Sequence, residues 1–212
     1  MQNDVKLICF DLNETLIEEN TWENLNLAMG VTEEEDAKIL RDFETGMTSY
    51  EEGQSRLEEI YRQRGKAKKE TIVEVVEKCT FYEGAEDIIK YLKERKYELA
   101  LISGSVDILT RKVAEVLGIP RYAANNSFIF DKNGNFLKID ALHEDADFKI
   151  EVVQEYCDQM NIAPSQVAAV GDGLNDVKLF QYTGRGITYR DRDIAKYAWK
   201  LIDKLEDLKA IF

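Results

Sequence analysis

Short apolar segments alternate with helical segments from residue 82 to the C-terminus, and this alternation limits the fold of the chain more than any other feature. The pattern predicts strands at residues 97–102, at 167–170 and around Ile187, and helices at residues 84–96, 106–117 and 148–160. Such alternation produces a parallel sheet with helices on both faces, because the crossover connections are right-handed. We therefore predict an α/β fold.

The first predicted strand stands apart from this alternation. It covers Leu7–Phe10 and is followed by residues 18–81, which are rich in Glu, Lys and Arg and show only helical patterns. Thr32 precedes three glutamates like a helix cap, and Gly65 ends a second helix. The simplest architecture is a core domain of residues 1–17 and 82–212, with a helical domain of residues 18–81 inserted after the first strand.

Three local patterns complete the prediction of secondary structure. Ile39, Leu40 and Phe43 form an apolar helical stripe, and Ser127–Ile139 reads as a hairpin around the turn sequence Asp131–Gly134. The C-terminal segment is predicted to form helices that pack through apolar side chains: Trp199, Leu201, Ile202, Leu205 and Leu208.

Composition excludes several classes of protein. The net charge is −13, and no cluster of Lys and Arg offers a face for nucleic acid. No apolar run reaches the length of a membrane helix and the N-terminus has no signal-peptide pattern, so we expect a cytoplasmic protein that does not bind membranes. His143 is the only histidine, which excludes a multi-histidine metal site. The three cysteines (Cys9, Cys79 and Cys157) are expected to be reduced thiols.

Polar residues recur where predicted strands end or helices begin. The sets are Asp11 with Asn13, Ser103 with Gly104, Lys149 alone, and Asp172 with Asn175 and Asp176. Each set alone has an ordinary interpretation, namely a turn residue, a helix cap or a surface lysine. Because parallel strands place their carboxyl ends at one edge of the sheet, we expect three of these sets to converge there.

The chemistry of these residue types fits phosphoryl transfer. Asp11 and Asp172, with a main-chain carbonyl and water, can form a Mg²⁺ site. Ser103, the Gly104 amide and Lys149 can bind phosphate oxygens and offset the charge of the transition state. Asp11 would be the in-line nucleophile, forming an acyl phosphate that water later opens.

Four segments resemble the motifs of the haloacid dehalogenase superfamily of phosphatases. They are Asp11–Leu16 (Asp-Leu-Asn-Glu-Thr-Leu), Ile102–Ser105, Lys149, and Val170–Asp176 (Val-Gly-Asp-Gly-Leu-Asn-Asp). Their order and spacing and the helical insertion are most similar to the phosphoserine-phosphatase-like branch. The resemblance implies a Rossmann-like core, a mobile helical cap, Mg²⁺ as cofactor and a phosphoaspartate on Asp11.

The resemblance also implies a role for each motif residue. The catalytic residues would be Asp11, Asn13 and Lys149. Ser103, Gly104, Lys149 and Asn175 would bind substrate phosphate. The metal ligands would be Asp11, Asn13, Asp172 and Asp176.

Asn13 is the first departure from the family pattern, which usually has a second Asp at this position as general acid and base. Asn has no proton to exchange near neutral pH, although its main-chain carbonyl can still bind Mg²⁺. Loss of a general acid–base typically lowers the rate on the order of 10²- to 10⁴-fold. Natural specialisation, a degenerate site and an engineered change all fit this residue.

The second departure concerns the substrate. Phosphoserine phosphatases hold the amino acid with a Glu after the first motif and an Arg in the cap. Here Asn20 matches the Glu, with Glu18 and Glu19 beside it, and the Arg falls near Arg56 or Leu57. Phosphoserine is therefore not favoured over other small phosphomonoesters.

Two functions follow. The first is a Mg²⁺-dependent phosphatase acting on a small phosphorylated metabolite, as a monomer or homodimer, with activity weakened by Asn13. The alternative is a catalytically impaired protein of the same fold that binds phosphate or a partner. A receiver-like phosphorylated switch fits the helical insertion poorly.

Overall fold

The computed structural model describes residues 4–141 and 144–212, apart from the side chain of Glu44. His143 lies outside these residues, so the exclusion of a multi-histidine metal site rests on the sequence alone. No helix among the described residues combines the length and apolar character needed to cross a bilayer.

Seven strands of the described chain form one sheet in the order β4-β3-β2-β1-β5-β6-β7. The strands are β1 (Leu7–Phe10), β2 (Glu98–Val106), β3 (Arg121–Phe130), β4 (Phe136–Ala141), β5 (Val167–Val170), β6 (Gly186–Tyr189) and β7 (Lys200–Ile202). β1 pairs in parallel with β2 and β5, and β6 pairs in parallel with β5 and β7. The predicted α/β class with a mostly parallel sheet is confirmed.

The helices of the described chain fall into two groups. Those that alternate with the strands are α5 (Ala85–Glu94), α6 (Asp107–Leu117), α7 (Asp145–Met160) and α8 (Leu174–Thr183). Those that follow β1 are α1 (Thr21–Ala28), α2 (Glu33–Glu44), α3 (Tyr50–Arg64) and α4 (Lys69–Glu77). Thr32 caps α2 through a capping box with Glu35, and Gly65 ends α3 with φ of 66°. The prediction of helices alone between β1 and residue 80 is confirmed.

β1 lies between β2 and β5 in the sheet and is buried along its whole length. Leu7 and Cys9 face a core that includes Val153 of α7 and Leu179 of α8. Strands covered on both faces read as continuous apolar runs, which is why Leu7–Phe10 shows no alternation of apolar and polar residues. The buried centre of the sheet thus leads directly into Asp11.

The chain forms two compact units. The first consists of Met1–Glu18, Thr80–Asn125 and His143–Phe212, and the second of Glu19–Cys79 and Asn126–Leu142. The second unit thus includes the hairpin between β3 and β4, which the sequence assigned to the core domain. The rings of Phe128 and Phe136 in this hairpin lie within 6.1 Å and 5.4 Å of the Tyr61 ring of α3. The division into a core domain of residues 1–17 and 82–212 and a cap of 18–81 stays a prediction.

The predicted hairpin is confirmed, and two other local predictions need correction. The C-terminal segment is not helical throughout: residues 200–202 form β7, and Asp193–Tyr197 and Leu205–Ala210 are short 3₁₀ helices. Trp199 is 43% exposed and does not pack as a core residue. The helix predicted around Ile39, Leu40 and Phe43 is confirmed as α2, although Leu40 and Phe43 of its apolar stripe are exposed.

Candidate active site

The loops that follow β1 and β5 bring the first and fourth motifs together. Asp11 comes directly after β1, and Asp172 comes two residues after β5. The Asp11 N–H donates to the carbonyl of Val170 over 2.8 Å, so the two strand ends are adjacent. Ser103 and Gly104 lie near the end of β2, on the other side of β1. The predicted convergence of the strand ends therefore occurs.

Lys149 joins two of the motif carboxylates from the first turns of α7. Its Nζ lies 2.7 Å from Asp11 Oδ1 and 2.6 Å from Asp176 Oδ1. The Lys149 side chain is only 1% exposed, so its ammonium group has exchanged water for these two carboxylates. A buried lysine needs such partners, because an unpaired buried charge is very costly.

Three carboxylates lie close together at this position. Oxygen atoms of Asp11, Asp172 and Asp176 all lie within 4.8 Å of one another. Asp176 is held further by the main-chain N–H groups of Asp172 and Gly173, which donate to its Oδ2 over 3.1 and 3.2 Å. An all-oxygen cluster of this kind has the donor chemistry that Mg²⁺ prefers.

Burial and mutual repulsion shift the pKa values of these carboxylates upward. Burial raises the pKa of Asp11 to about 6 and outweighs the opposing effect of Lys149. Burial, followed by the charges of Asp11 and Asp176, raises the pKa of Asp172 to about 8. Burial alone would lower the pKa of Lys149, but Asp11 and Asp176 outweigh it and the pKa rises. The cluster therefore favours an additional positive charge.

Gly171, just before Asp172, allows Asp176 to approach the loop after β5. A Cβ atom at Gly171 would lie 2.3 Å from the Asp176 carboxyl carbon, closer than any side chain tolerates. Only glycine leaves room for this carboxylate over the loop backbone. The close approach of Asp176 thus explains why the fourth motif has glycine at position 171.

Ser103 and Gly104 have surroundings that the sequence did not indicate. Ser103 is buried, and its Oγ accepts a hydrogen bond from the Ser105 N–H over 3.0 Å. At Gly104, a Cβ atom would lie 2.3 Å from Asp145 Oδ2. The Asn125 amide group donates to the other oxygen of Asp145 over 2.6 Å. An acidic side chain therefore lies against the main chain of the predicted phosphate-binding glycine.

Asn13 of the first motif and Asn175 of the fourth motif are both partly buried. Asn13 forms an isolated parallel bridge with Ile17, which closes the loop after β1. Asn175 lies in the first turn of α8, and its Oδ1 is 2.9 Å from the position of a Cβ atom on Gly173. The structure describes these positions, while the predicted roles of both residues stay predictions.

Four residues around Asp172 were not predicted as site residues. Thr15 donates from Oγ1 to Asp172 Oδ1 over 3.4 Å, and Tyr189 donates from its hydroxyl to the Thr15 carbonyl over 3.0 Å. Arg192 forms ion pairs with Glu14 at 3.2 Å and Asp172 at 3.7 Å. Thr15 was detectable because it is part of the first motif. The contacts of Tyr189 and Arg192 depend on the position of β6 beside β5, which no local sequence pattern reveals.

Two residues of the second unit align with positions that bind substrate in the family. Asn20, which matches the family's substrate-binding Glu, caps α1 by accepting from the Glu23 N–H. Arg56, a candidate for the cap arginine, forms an ion pair with Asp42 at 2.9 Å. Both side chains therefore have local partners within their own unit.

Comparison with known proteins identifies the family. A model described as haloacid dehalogenase-like hydrolase matches residues 5–184. The chain belongs to this hydrolase family. The phosphoserine phosphatase of Methanocaldococcus jannaschii is 33% identical over 216 residues, covering 100% of this chain and 98% of the relative. The phosphoserine phosphatase of Wolinella succinogenes is 28% identical and covers 98% of both.

Solved structures agree with the assignment to the haloacid dehalogenase-like hydrolases. A substrate-bound phosphoserine phosphatase complex superposes with a TM-score of 0.77 at 30% identity, over 97% of this chain and 98% of that chain. A phosphoaspartyl intermediate analogue of phosphoserine phosphatase gives the same TM-score. The predicted family and its phosphoserine-phosphatase-like branch are confirmed, and the chain is a hydrolase of the phosphatase type.

Proposed function

We propose that this hydrolase is a Mg²⁺-dependent phosphomonoesterase in which Asp11 is the nucleophile. The observation that carries the proposal is the buried ammonium group of Lys149 between Asp11 and Asp176. An aspartate can attack a phosphate dianion only where positive charge offsets their repulsion. Lys149 supplies one such charge, and the carboxylate cluster is suited to hold a second as a bound cation.

The donor set fits Mg²⁺. Asp11 and Asp172 approach each other within 4.8 Å, and the main-chain carbonyl of Asn13 belongs to the same loop as Asp11. These groups would hold the ion, with Asp176 beside them as a further predicted ligand. When bound, Mg²⁺ supplies positive charge to the phosphate oxygens.

The reaction then has two steps at phosphorus. A carboxylate oxygen of Asp11 forms a bond to phosphorus while the bond to the alcohol oxygen breaks, which leaves an acyl phosphate on Asp11. Water then attacks phosphorus, releases inorganic phosphate and restores the carboxylate. Lys149 orients Asp11 through its 2.7 Å contact. Ser103, Gly104 and Asn175 are proposed to bind the phosphate oxygens.

Asn13 weakens the first step because it cannot donate a proton to the leaving alcohol. Activated aryl phosphates need little protonation, so they should react far better than alkyl phosphates. Equal rates for the two classes would show that another group donates the proton.

The proposed substrates are small phosphate monoesters. Phosphoserine is named for the relatives, but the local partners of Asn20 and Arg56 do not favour it for this chain. Residues 18–81 are proposed as the cap domain of the family.

The test is to restore the acid–base residue. We expect Asn13→Asp to raise turnover of an alkyl phosphate by roughly 10²- to 10⁴-fold. Asp11→Asn in the same background should abolish it. A screen of small phosphate esters with Asn13→Asp would then define the substrate.

The second candidate function is phosphate or partner binding without turnover, and Asn13 is the observation that favours it. If Asn13→Asp leaves turnover unchanged while phosphate still binds, this function replaces the first.

A further inference from the structure

Arg192 connects the two loops that carry the proposed metal ligands, although it lies outside all four motifs. It follows β6, and its Nη1 lies 3.2 Å from Glu14 Oε1 in the loop after β1. Its Nη2 donates to the main-chain carbonyl of Glu14 over 3.3 Å. Nη1 also lies 3.7 Å from Asp172 Oδ2 in the loop after β5.

The carbonyl contact constrains an unusual backbone. Glu14 has a φ of 50°, a left-handed conformation that residues with side chains seldom adopt. Such conformations persist where the surroundings hold them. Arg192 binds both the carboxylate and the carbonyl of Glu14, so it holds this peptide three residues after Asp11.

Asp172 is held from two sides. Thr15 donates to one carboxylate oxygen, and Arg192 approaches the other. The Tyr189 hydroxyl fixes the Thr15 carbonyl from β6, the strand that leads to Arg192. The carboxylate of Asp172 is thereby restricted in orientation by Thr15 from the loop after β1 and by Arg192 from the segment after β6.

We infer that Arg192 is a positioning residue that fixes Asp172 and the Glu14 peptide relative to Asp11, and so raises the affinity of the site for Mg²⁺. The inference rests on the proposed function, because it concerns the same metal site. Outer groups that orient metal ligands typically change metal affinity by about 10- to 100-fold.

The charge of Arg192 acts in the opposite direction. A guanidinium near Asp172 repels a cation, so removal of its charge alone would strengthen Mg²⁺ binding. Arg192 is 27% exposed, so solvent screens the repulsion between its charge and a bound cation. Solvent has less effect on how its hydrogen bonds orient Asp172 and Glu14. We therefore expect the positioning effect to exceed the repulsion.

The experiment measures Mg²⁺ binding by isothermal titration calorimetry on the full chain without substrate. Arg192→Met should weaken Mg²⁺ affinity by about 10-fold or more. Arg192→Lys keeps the charge without the planar fork and should recover only part of this affinity. Arg190→Met is the matched control, because Arg190 pairs at 3.0 Å with Asp203 and both are mostly exposed. Its affinity should stay within about twofold of wild type.

A second variant protects the test against misfolding. Glu14→Gln removes the carboxylate of the Arg192 ion pair and should weaken Mg²⁺ binding in the same direction. In the double variant with Arg192→Met, the two losses should be less than additive, because the residues act through one contact. In activity assays, the Mg²⁺ concentration for half-maximal rate should rise while kcat at saturating Mg²⁺ changes little.

The outcomes separate this inference from the proposed function. Unchanged or tighter Mg²⁺ binding in Arg192→Met, with normal binding by wild type, overturns the positioning role alone. Additive losses in the double variant also contradict it. Absence of Mg²⁺ binding by the wild-type chain overturns both proposals.

Discussion

Lys149 is the residue on which the geometry of the site depends most. Its two ion pairs are buried, and its single positive charge partly neutralises the negative charges of two carboxylates. Replacing it with an uncharged side chain would leave both carboxylates buried without a cationic partner. The same residue thus links stability to the orientation of Asp11.

We expect Lys149→Met to reduce the free energy of unfolding by about 3–5 kcal/mol at neutral pH, because Asp11 and Asp176 lose their shared cation. Urea unfolding followed by circular dichroism measures this change. Lys178→Met is the control: Lys178 pairs with Asp147 at 2.7 Å, and both side chains are about half exposed. Its effect should stay below about 1 kcal/mol. Equal losses in the two variants would contradict the account of Lys149.

Single residues also show where prediction from sequence reaches its limit. Asp11 and Asp172 were predictable, because motif residues at the ends of parallel strands share one edge of the sheet, whereas Lys149 in α7 was found through its resemblance to the third family motif. Arg192 and Tyr189 were not, because their contacts depend on the placement of β6 beside β5. Asp145 was missed for a similar reason: its proximity to Gly104 arises from the packing of α7.

At the scale of elements, the loop between β5 and α8 carries two carboxylates with different surroundings. Asp176 receives hydrogen bonds on both oxygens, from Lys149 and from two main-chain N–H groups. Asp172 accepts a hydrogen bond from Thr15 on one oxygen, and Arg192 lies at a longer distance from the other oxygen. Asp172 therefore has more capacity left to bind a cation directly.

This difference predicts an order of effects on Mg²⁺ binding. Asp176→Asn should weaken Mg²⁺ affinity by about 10- to 100-fold, because both oxygens of this predicted ligand already accept hydrogen bonds and can bind the ion only weakly. Asp172→Asn should weaken it more, because it removes the predicted ligand with more free capacity. Calorimetric titration with MgCl₂ measures both. The reverse order would mean that Asp176 is the principal ligand of the two.

Predictions of whole elements succeeded where burial imposes a strong pattern. β1 and β5 were recognised as apolar runs because both are covered on two faces. β7 was mistaken for helix because it has three residues at the edge of the sheet and only Ile202 is buried. A short edge strand with exposed apolar residues carries no periodic signal that distinguishes it from a helix.

At the scale of the whole molecule, the net charge of −13 requires that binding of a phosphate ester depend on local positive charge. Lys149 and Arg192 supply two such charges next to the carboxylate cluster. A cation that binds the folded chain but not the unfolded chain would stabilise the folded state by mass action.

We expect MgCl₂ to raise the Tm of the wild-type chain, with a gain of about 2.7 kcal/mol in unfolding free energy when the ion is at 100 times its Kd. Differential scanning calorimetry measures the shift. NaCl at matched ionic strength is the control, since general screening acts on every surface charge. An equal rise in NaCl would show that the cluster does not bind the divalent ion selectively.

The most direct test of the account is ¹⁹F NMR of the full chain with Mg²⁺ and beryllofluoride, which mimics a phosphoryl group on an aspartate. The wild-type chain should give protein-bound fluorine resonances that require Mg²⁺ and disappear in Asp11→Asn. Asn13→Asp should give the same resonances, because the adduct needs no proton transfer. Bound resonances that persist in Asp11→Asn, or none in the wild-type chain with Mg²⁺, would contradict the claim that Asp11 is the nucleophile.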